Sequence, residues 1–370
     1  MTANFNIEKV LVAPLDWGLG HATRCIPIIR ALQKRGCRIW LAAEGKQAIL
    51  LKQEFPELEI LPLEGYRVRY GQNRWTFPFL LLKQIPRILR MIKQEGLWLD
   101  EQLKQHHFDL VISDNRYGLS SQKTHCIFIT HQLLIKAKVS WLEALLQKIN
   151  YRYIQRFAAC WVPDTENEPS LAGMLSHPPK LPAIPVRYLG LLSRFQFASV
   201  PEKYKYCMLL SGPEPQRSLM ETALISAFAK LKVSCLLVRG KPGEPEMSGV
   251  PEHIKVIAHL PGNELASVLL QSEYIICRSG YTSIMEILTL RRKALLIPTP
   301  GQTEQEYLGK RLMEQGFCYS FPQNEIPSLK HHLQTAGSFD YRLTDFPLFT
   351  DNTLTDLFND GTQLPPLANP

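Results

Sequence analysis

Residues 9–24 read KVLVAPLDWGLGHATR and indicate how the chain is built. The first six of these residues, 9–14, form a short apolar run that ends at a turn, which is typical of a buried strand in a parallel sheet. Beyond His21, apolar side chains recur at helical spacing until Gly36, where a glycine is expected to end the helix. A strand, a glycine-containing loop and a helix in this order predict the start of a βαβ unit.

The same alternation continues along the chain and predicts two α/β domains. Further strands are expected at residues 38–42, 58–63, 109–113, 126–130, 206–210, 234–238, 254–258, 274–277 and 294–298. Prolines between residues 163 and 201 interrupt the pattern, so we place the domain boundary near Gly190. The expected division is an N-terminal domain at 1–190, a C-terminal domain at 191–345 and a tail at 346–370. The sequence leaves open whether the tail packs back on the body.

Composition limits the class of protein. The chain has 370 residues, 45% of them hydrophobic, and a formal net charge of +8, which suits two globular domains and argues against a disordered or fibrous chain. No apolar run approaches the roughly 18 residues of a membrane span, and the first residues do not resemble a signal peptide, so we expect a cytoplasmic protein. The eight cysteines form no C-x-x-C pair, so neither a disulfide framework nor a zinc site is expected.

The loop after the first predicted strand is the first candidate site. Gly18 and Gly20 would let backbone approach a ligand at the carboxyl end of the sheet, although Thr23 stands where a dinucleotide fingerprint has its third glycine. A purely structural turn therefore remains open. His21 could accept a proton from an attacking hydroxyl near neutral pH, and the alternative is a histidine that caps the helix or orients the substrate.

Three further strand-to-helix junctions lie in the second half of the chain. Ser211 and Gly212 open a loop that, with Arg217, could receive a diphosphate, although an ordinary capped turn stays an alternative. Glu286 is expected about two turns into the helix that begins near Gly280, where its carboxylate could accept both hydroxyls of a ribose. The last junction, at residues 297–307, supplies amides and carboxylates suited to sugar hydroxyls.

Four stretches of the second half resemble the donor-binding domain of GT-B glycosyltransferases: SGPEPQR at 211–217, AHLPGNE at 258–264, CRSGYTSIMEIL at 277–288 and IPTPGQTEQEYLGKRL at 297–312. The likeness is strongest to the branch of the lipid II-forming N-acetylglucosaminyltransferase and the related lipid galactosyltransferases. GLGHATR at 18–24 is similar to the glycine-rich loop of that branch. The resemblance implies two Rossmann-like, doubly wound domains that face a central cleft.

The resemblance also implies roles for individual residues. It places Glu286 at the ribose hydroxyls and the backbone of His259 and Leu260 at the nucleobase. It puts the diphosphate at Ser279, Gly280 and Tyr281, and the donor sugar at Gln302, Glu304 and Gln305. Many relatives have Gln-Gln or Asp-Gln where this chain has Glu304-Gln305, which leaves the donor sugar and the acceptor open.

Resemblance and charge together predict a metal-independent, inverting transfer from a nucleotide sugar, most plausibly a UDP-sugar. Helix N-termini, with Arg217 or Arg278, would stabilise the leaving diphosphate, and no D-x-D motif is present to hold a metal. We therefore expect neither a cofactor nor a metal. His21 is the first candidate base and Asp114 the second. The residues expected to line an acceptor pocket are Asp114, Asn115, Arg116, His131 and Gln132.

Residues 67–99 interleave aromatic, aliphatic and basic side chains, as does a second segment at 138–157. Such segments could lie on an anionic membrane and suit a lipid-linked acceptor, which would make the protein peripheral at the inner face of the membrane. The residues expected to contact the membrane are Trp75, Phe77, Phe79, Arg87, Arg90 and Lys93. The alternative is a core helix with a solvated basic face.

Two other functions remain open on the sequence alone. One is a nucleotide-sugar epimerase with the same architecture. The other is a non-enzymatic protein that binds nucleic acid or another polyanion through its basic faces. The basic residues are spread over both halves of the chain, and the sequence contains no recognisable motif of a nucleic-acid-binding domain. We therefore do not expect nucleic acid as a partner.

Overall fold

The computed structural model describes residues 7–67, 77–137, 139–241, 243–245 and 247–359, with the backbone alone at 77–83 and at 359. The described residues divide into two compact units. The N-terminal unit comprises 7–67, 82–193 and 347–359, and the C-terminal unit comprises 77–81 and 194–346.

Each unit is built on a parallel sheet. The strands are β1 (Lys9–Pro14), β2 (Arg38–Ala43), β3 (Glu59–Pro62), β4 (Leu110–Asp114), β5 (His125–Ile129), β6 (Ala159–Val162), β7 (Val186–Tyr188), β8 (Tyr204–Leu209), β9 (Cys235–Val238), β10 (Ile254–Ile257), β11 (Ser272–Cys277), β12 (Lys293–Leu296) and β13 (Tyr319–Ser320). Their order is β3-β2-β1-β4-β5-β6-β7 in the N-terminal unit and β10-β9-β8-β11-β12-β13 in the C-terminal unit.

Helices connect these strands. They are α1 (Leu19–Lys34), α2 (Gly45–Glu54), α3 (Phe77–His106), α4 (Ser140–Ile154), α5 (Gln216–Leu231), α6 (Gly262–Leu270), α7 (Tyr281–Thr289), α8 (Thr303–Glu314), α9 (Leu329–Ser338) and α10 (Asp351–Asn359). Two short 3-10 helices lie at Gly173–Leu175 and Gln323–Ser328.

In each sheet, the order in which the chain adds strands reverses at one point. This point determines where a ligand can reach the carboxyl ends of the strands. In the N-terminal unit the chain builds outward from β1 through β2 to β3 and then returns to add β4 on the other side of β1. In the C-terminal unit the reversal lies between β8 and β11. In doubly wound sheets, ligands bind outside the carboxyl ends of the strands at this reversal.

The buried strands explain why the sequence pattern predicted the fold. Residues 10–14 of β1 are fully or almost fully buried, as parallel strands covered by helices on both faces should be. Their side chains contribute to a core in which Leu11 and Val111 pack with Leu99 of α3. The C-terminal unit has its own core, in which Met208, Ile276 and Leu295 pack from three adjacent strands.

The last described segment packs on the N-terminal unit. The Lys34 ammonium pairs with the Asp351 carboxylate at 2.7 Å, and the Arg35 guanidinium lies 5.1 Å from the centre of the Phe358 ring. Leu191 and Leu348 form an isolated parallel bridge. The contacts between α10 and α1 thus attach residues 347–359 to this unit.

The expectation of two Rossmann-like α/β domains is confirmed, and the predicted strands lie within about two residues of those observed. Sequence reasoning missed β6, β7 and β13. In the part of the chain that the structure describes, no helix combines the length and apolarity needed to cross a membrane.

Candidate functional site

His21 and Asp114 meet at the reversal of the N-terminal sheet. Asp114 is the last residue of β4 and pairs in register with Pro14, the last residue of β1. The loop after β1 therefore starts level with Asp114 and carries His21 into the first turn of α1. The Nδ1 atom of His21 lies 3.1 Å from Oδ2 of Asp114. The structure thus brings together the two residues that the sequence analysis ranked as first and second candidate base.

Arg24 holds the carboxylate of this pair, and sequence reasoning missed it. Its Nε donates to Oδ2 of Asp114 at 2.8 Å, and its Nη2 donates to Oδ1 of the same carboxylate. Nη2 also lies 2.9 Å from Nδ1 of His21. The spacing of His21 and Arg24 on α1, three residues apart, was the available signal, because residues at i and i+3 lie on one face of a helix.

His21 and Asp114 differ in solvent exposure, and this difference bears on which of them can act as a base. The His21 side chain is 14% exposed, whereas Asp114 is fully buried. Burial alone would raise the pKa of Asp114, but the charge of Arg24 and the contact with His21 outweigh it and hold that pKa at about 2. A buried carboxylate that is already paired and so weakly basic is unsuited to remove a proton from a substrate. Of the two candidate bases, His21 is therefore the better placed, and Asp114 lies where it can orient the imidazole.

Whereas the surroundings of Asp114 favour its charged form, the surroundings of the His21 imidazole favour its neutral form. Burial and the Arg24 charge lower its pKa, against the attraction of Asp114. The ring is consequently unprotonated at neutral pH and able to accept a proton.

His131, Gln132 and Asn115 lie at the neighbouring strand ends. His131 follows β5 and is buried, with Nδ1 3.4 Å from Nη1 of Arg24. Gln132 and Asn115 are half-buried, and the backbone amide of Asn115 donates to the carbonyl of Ile129 at 3.1 Å. These three residues are gathered at the carboxyl ends of β4 and β5.

Arg116 has a structural environment that the sequence did not indicate. Its side chain is fully buried, and its Nε donates to Oε1 of Glu95 at 2.7 Å. Its other donors reach the carbonyl oxygens of Pro14 and Glu64. A guanidinium used in this way ties the end of β1 to α3, and the expected contact of Arg116 with an acceptor stays a prediction.

The glycine loop itself is fixed by its neighbours. Gly18 has φ of 90°, a conformation that favours glycine, and its carbonyl accepts a hydrogen bond from the Gln47 side chain at 2.8 Å. Asp16 accepts hydrogen bonds from the backbone amides of Tyr66 and Arg67, both at 2.8 Å. Gly20 is half-buried, and its carbonyl accepts from the hydroxyl of Thr23 at 3.1 Å.

In the C-terminal unit, the loops after β8, β11 and β12 lie at the carboxyl edge of one sheet, on both sides of its reversal. Ser211 and Gly212 follow β8 and are half-buried and exposed, respectively. Gly280 is the N-cap of α7, and no side chain caps that helix. The stretch at 258–264 follows β10 of the same parallel sheet, so the sheet gathers all four stretches that carried the family resemblance.

Glu286 lies on α7 and is paired with an arginine that sequence reasoning missed. The Nε of Arg194 donates to Oε1 of Glu286 at 2.7 Å, and the two side chains are 10% and 7% exposed. Burial and the Arg194 charge lower the pKa of His259, and both His259 and Leu260 are half-buried. Arg194 was missed because it lies in a stretch with no helix or strand pattern.

The two arginines expected at the diphosphate are buried instead. Arg278 is 2% exposed, and its guanidinium donates to the carbonyl oxygens of Gln216, Ile297 and Pro298. Burial lowers its pKa to about 10, which still leaves it charged at neutral pH. These contacts hold three donor-side loops together, and the expected contact of Arg278 with a diphosphate stays a prediction.

Arg217 likewise forms a buried network. Its Nε donates to Glu214 at 2.8 Å, and its terminal nitrogens contact Glu221 at 3.2–3.3 Å. Glu221 in turn accepts from Nε of Arg239 at 2.7 Å. Carboxylates thus pair with Arg217 at the start of α5, and its expected contact with a diphosphate stays a prediction.

The remaining donor-side residues lie where the helices begin. The Ser279 hydroxyl donates to the backbone carbonyl of Gln305 at 2.9 Å, which joins the starts of α7 and α8. The Gln305 side chain accepts from the amide of Thr299 at 2.9 Å. Gln302 is the N-cap of α8, and Glu304 lies in its first turn and is half-buried. Tyr281, the first residue of α7, is buried.

Over the described residues, no group of three or more His, Cys, Asp and Glu side chains has an arrangement that could hold a metal ion. The expectation of a metal-independent reaction remains a prediction.

Comparison with known proteins adds information on family. Residues 242–340 match the glycosyltransferase family 28 C-terminal domain. An uncharacterized glycosyltransferase of Methanosarcina acetivorans is 22% identical over 347 residues, which cover 86% of this chain and 88% of that protein. The UDP-N-acetylglucosamine--N-acetylmuramyl-(pentapeptide) pyrophosphoryl-undecaprenol N-acetylglucosamine transferase of Haemophilus ducreyi is 21% identical, with 81% of each chain covered.

A solved structure confirms the fold. The crystal structure of MurG from Acinetobacter baumannii superposes with a TM-score of 0.56 at 13% identity and covers 96% of this chain and all of that one. The matched domain contains Glu286 and the starts of α7 and α8. The chain is a glycosyltransferase of the GT-B fold that resembles the lipid II-forming N-acetylglucosaminyltransferases.

Proposed function

We propose that the protein transfers a sugar from a UDP-sugar to the hydroxyl of a lipid-linked acceptor, with inversion and without a metal. The observation that carries this proposal is the family 28 match over residues 242–340, which spans Glu286 and the donor-side loops. The curated relatives are glycosyltransferases, one of them named as a UDP-N-acetylglucosamine transferase. They do not favour an epimerase or a polyanion-binding protein.

The donor site is assigned to the C-terminal unit. Glu286 would accept the ribose hydroxyls, and the backbone near His259 would face the nucleobase. The diphosphate would lie at the start of α7, where the N-cap is a glycine and the helix dipole favours negative charge. Gln302 and Glu304 would then approach the donor sugar from the start of α8.

Metal independence follows from how the leaving group would be stabilised. Glycosyl transfer builds negative charge on the departing diphosphate, and fixed dipoles aimed at that charge can stabilise it. The starts of α5 and α7 follow β8 and β11, the two strands that flank the reversal of the C-terminal sheet. Arg217 and Arg278 would hold these loops in place rather than touch the phosphates.

The base is assigned to His21 in the N-terminal unit. With a proton on Nδ1 donated to Asp114, its Nε2 carries the lone pair that would remove the acceptor proton. An acceptor oxygen activated in this way attacks the anomeric carbon directly as the diphosphate leaves. One displacement inverts the configuration at that carbon.

The experiment for this proposal is release of nucleotide diphosphate from a panel of nucleotide sugars in the presence of EDTA. We expect UDP release from a UDP-sugar, faster when polyprenyl-linked or glycolipid acceptors are added, and unchanged by EDTA. No release from any UDP-sugar with any of these acceptors would contradict the transferase assignment. Loss of release in EDTA, with recovery on adding Mg²⁺, would contradict metal independence.

An exposed apolar stripe with basic neighbours supports the choice of a lipid-linked acceptor. On α4, Trp141, Leu145 and Ile149 are 67%, 47% and 46% exposed and recur every four residues, so they form one apolar stripe. Lys148 and Arg152 are exposed beside this stripe. An apolar stripe flanked by basic side chains suits an anionic membrane surface.

The other basic and apolar segment is residues 67–99. Its residues 68–76, which include Trp75, lie outside the described residues, and only the backbone is described for Phe77 and Phe79. Further along α3, Ile85 and Leu89 are exposed, as are Arg87, Arg90 and Lys93. Part of this segment therefore presents the same combination of apolar and basic side chains.

Trp141→Ser with Leu145→Ser is expected to weaken binding to phosphatidylglycerol vesicles by about tenfold or more, because two apolar anchors are lost. Cosedimentation at low and high salt would measure it. Ile49→Ser removes an exposed apolar side chain from α2 and serves as the matched control. Two results would contradict the membrane surface. One is equal binding of the double variant and this control to phosphatidylglycerol vesicles. The other is a wild-type protein that binds phosphatidylcholine vesicles but not phosphatidylglycerol vesicles.

A further inference from the structure

We propose that Arg24 is a positioning residue that fixes the Asp114 carboxylate on which His21 depends and places a positive charge beside the imidazole of His21. This inference rests on the proposed role of His21 as base. It assigns the buried guanidinium a function in the chemistry beyond holding α1 against β4.

The first argument is geometric. Arg24 lies one turn after His21 on α1, is 2% exposed, and contacts both oxygens of Asp114 through Nε and Nη2. A guanidinium bound to both carboxylate oxygens fixes their direction as well as their charge. The carboxylate therefore cannot rotate away from His21 without breaking two charge-assisted hydrogen bonds.

The second argument concerns charge. The titratable and charged groups that act on His21 are Arg24 from α1, Asp114 from β4 and His131 from the loop after β5. Cys25 adds a thiol whose Sγ lies 3.7 Å from Oδ2 of Asp114. Asp114 alone would favour an imidazolium at this buried position, and the adjacent Arg24 opposes it. The pKa of His21 is accordingly lowered, first by burial and then by Arg24.

The third argument concerns the position of the ring proton. Nδ1 of His21 lies 3.1 Å from Asp114 Oδ2 and 2.9 Å from Arg24 Nη2. Only the tautomer with a proton on Nδ1 leaves a lone pair on Nε2 for the acceptor. Nη2 of Arg24 can only donate, so it competes with the ring proton at Nδ1. The base tautomer therefore requires that Nδ1 donates to Oδ2 while Nη2 donates to Oδ1 of Asp114.

The test combines a pH titration of His21 by NMR with the pH profile of transfer. Arg24→Met should raise the pKa of His21 by about one unit or more, because the carboxylate then acts on the ring unopposed. The acid limb of kcat/KM should move to higher pH by the same amount. Arg30→Met, at an exposed arginine on the same helix that pairs with Glu54 at 3.0 Å, is the matched control and should change neither.

Two further variants keep the inference falsifiable if Arg24→Met does not fold. Arg24→Gln retains a donor for Asp114 without the charge, and should also raise the pKa of His21. Arg24→Met with Asp114→Asn removes both charges and should return that pKa to its lowered range. An unshifted His21 pKa in folded Arg24→Met or Arg24→Gln would overturn the inference.

The NMR titration needs no substrate and separates the two hypotheses. If Arg24→Met or Arg24→Gln raises the pKa of His21 but the wild type shows no measurable transfer, Arg24 is still the group that controls His21. That result would count against the proposed function alone. Transfer that depends on His21, with no change of its pKa in Arg24→Gln, would count against the role of Arg24 alone.

Discussion

His21→Ala is expected to lower kcat for transfer by about 100-fold to 10,000-fold, the range for loss of a positioned general base. Donor affinity should stay within about twofold of the wild type, because the groups assigned to the donor belong to the C-terminal unit. Initial rates with saturating UDP-sugar and calorimetric titration with UDP would measure the two effects separately. A fall in kcat without a fall in donor affinity is the signature of a group that acts in the transition state.

His331→Ala is the matched control for this substitution, because His331 is an exposed histidine on α9 of the C-terminal unit. It should leave both kcat and donor affinity unchanged. Transfer by His21→Ala at the wild-type rate would remove His21 as the base. The pH profile gives a further check, because the lowered pKa of His21 predicts that wild-type activity falls only below pH 6.5, the ordinary pKa of histidine.

Glu286→Gln is expected to weaken UDP binding by about 10-fold to 100-fold. The carboxylate would accept two hydrogen bonds from the ribose, and each hydrogen bond to a charged group contributes about 1.5–3 kcal/mol. The substitution also removes the charge that pairs with Arg194, so the fold should be checked by thermal unfolding without ligand. Calorimetric titration with UDP would measure the affinity.

Glu314→Gln gives the matched control, because Glu314 is exposed at the end of α8 and pairs only loosely with Lys310 at 3.7 Å. Its UDP affinity should equal that of the wild type. Glu286→Asp keeps the charge on a shorter side chain and should bind UDP more tightly than Glu286→Gln. Equal affinity of wild type and Glu286→Gln for UDP would contradict the ribose assignment.

The fold was predictable because it follows from local pattern. Short apolar runs that end at glycine or polar loops marked the buried strands, and helical spacing marked the segments between them. The same reasoning placed His21 and Asp114 at the carboxyl ends of strands, which lie at one edge of a parallel sheet, and the structure shows that these two strands are neighbours. β7 and β13 were missed because three and two residues carry too short a pattern.

The roles of the arginines were not predictable in this way. Arg116, Arg217 and Arg278 stand near strand ends that look suited to anions, but each side chain is buried against carboxylates or backbone carbonyls. Arg116 and Arg278 each contact a carbonyl from a distant part of the chain, whereas the carboxylates that pair with Arg217 lie within four residues of it. Arg24 and Arg194 were missed for the complementary reason. Their partners, Asp114 and Glu286, lie about 90 residues away in sequence, and only the folded chain brings them together.

The most direct test of the donor site is hydrogen–deuterium exchange of the wild-type protein with and without saturating UDP. The donor assignment predicts slower exchange of backbone amides at 211–217, 258–262, 279–287 and 301–305, because a bound nucleotide would cover the carboxyl edge of the C-terminal sheet. Glu286→Gln at the same UDP concentration should show little of this protection. Protection confined to other segments, or none at saturating UDP, would contradict the central claim that this sheet edge binds the nucleotide of the donor.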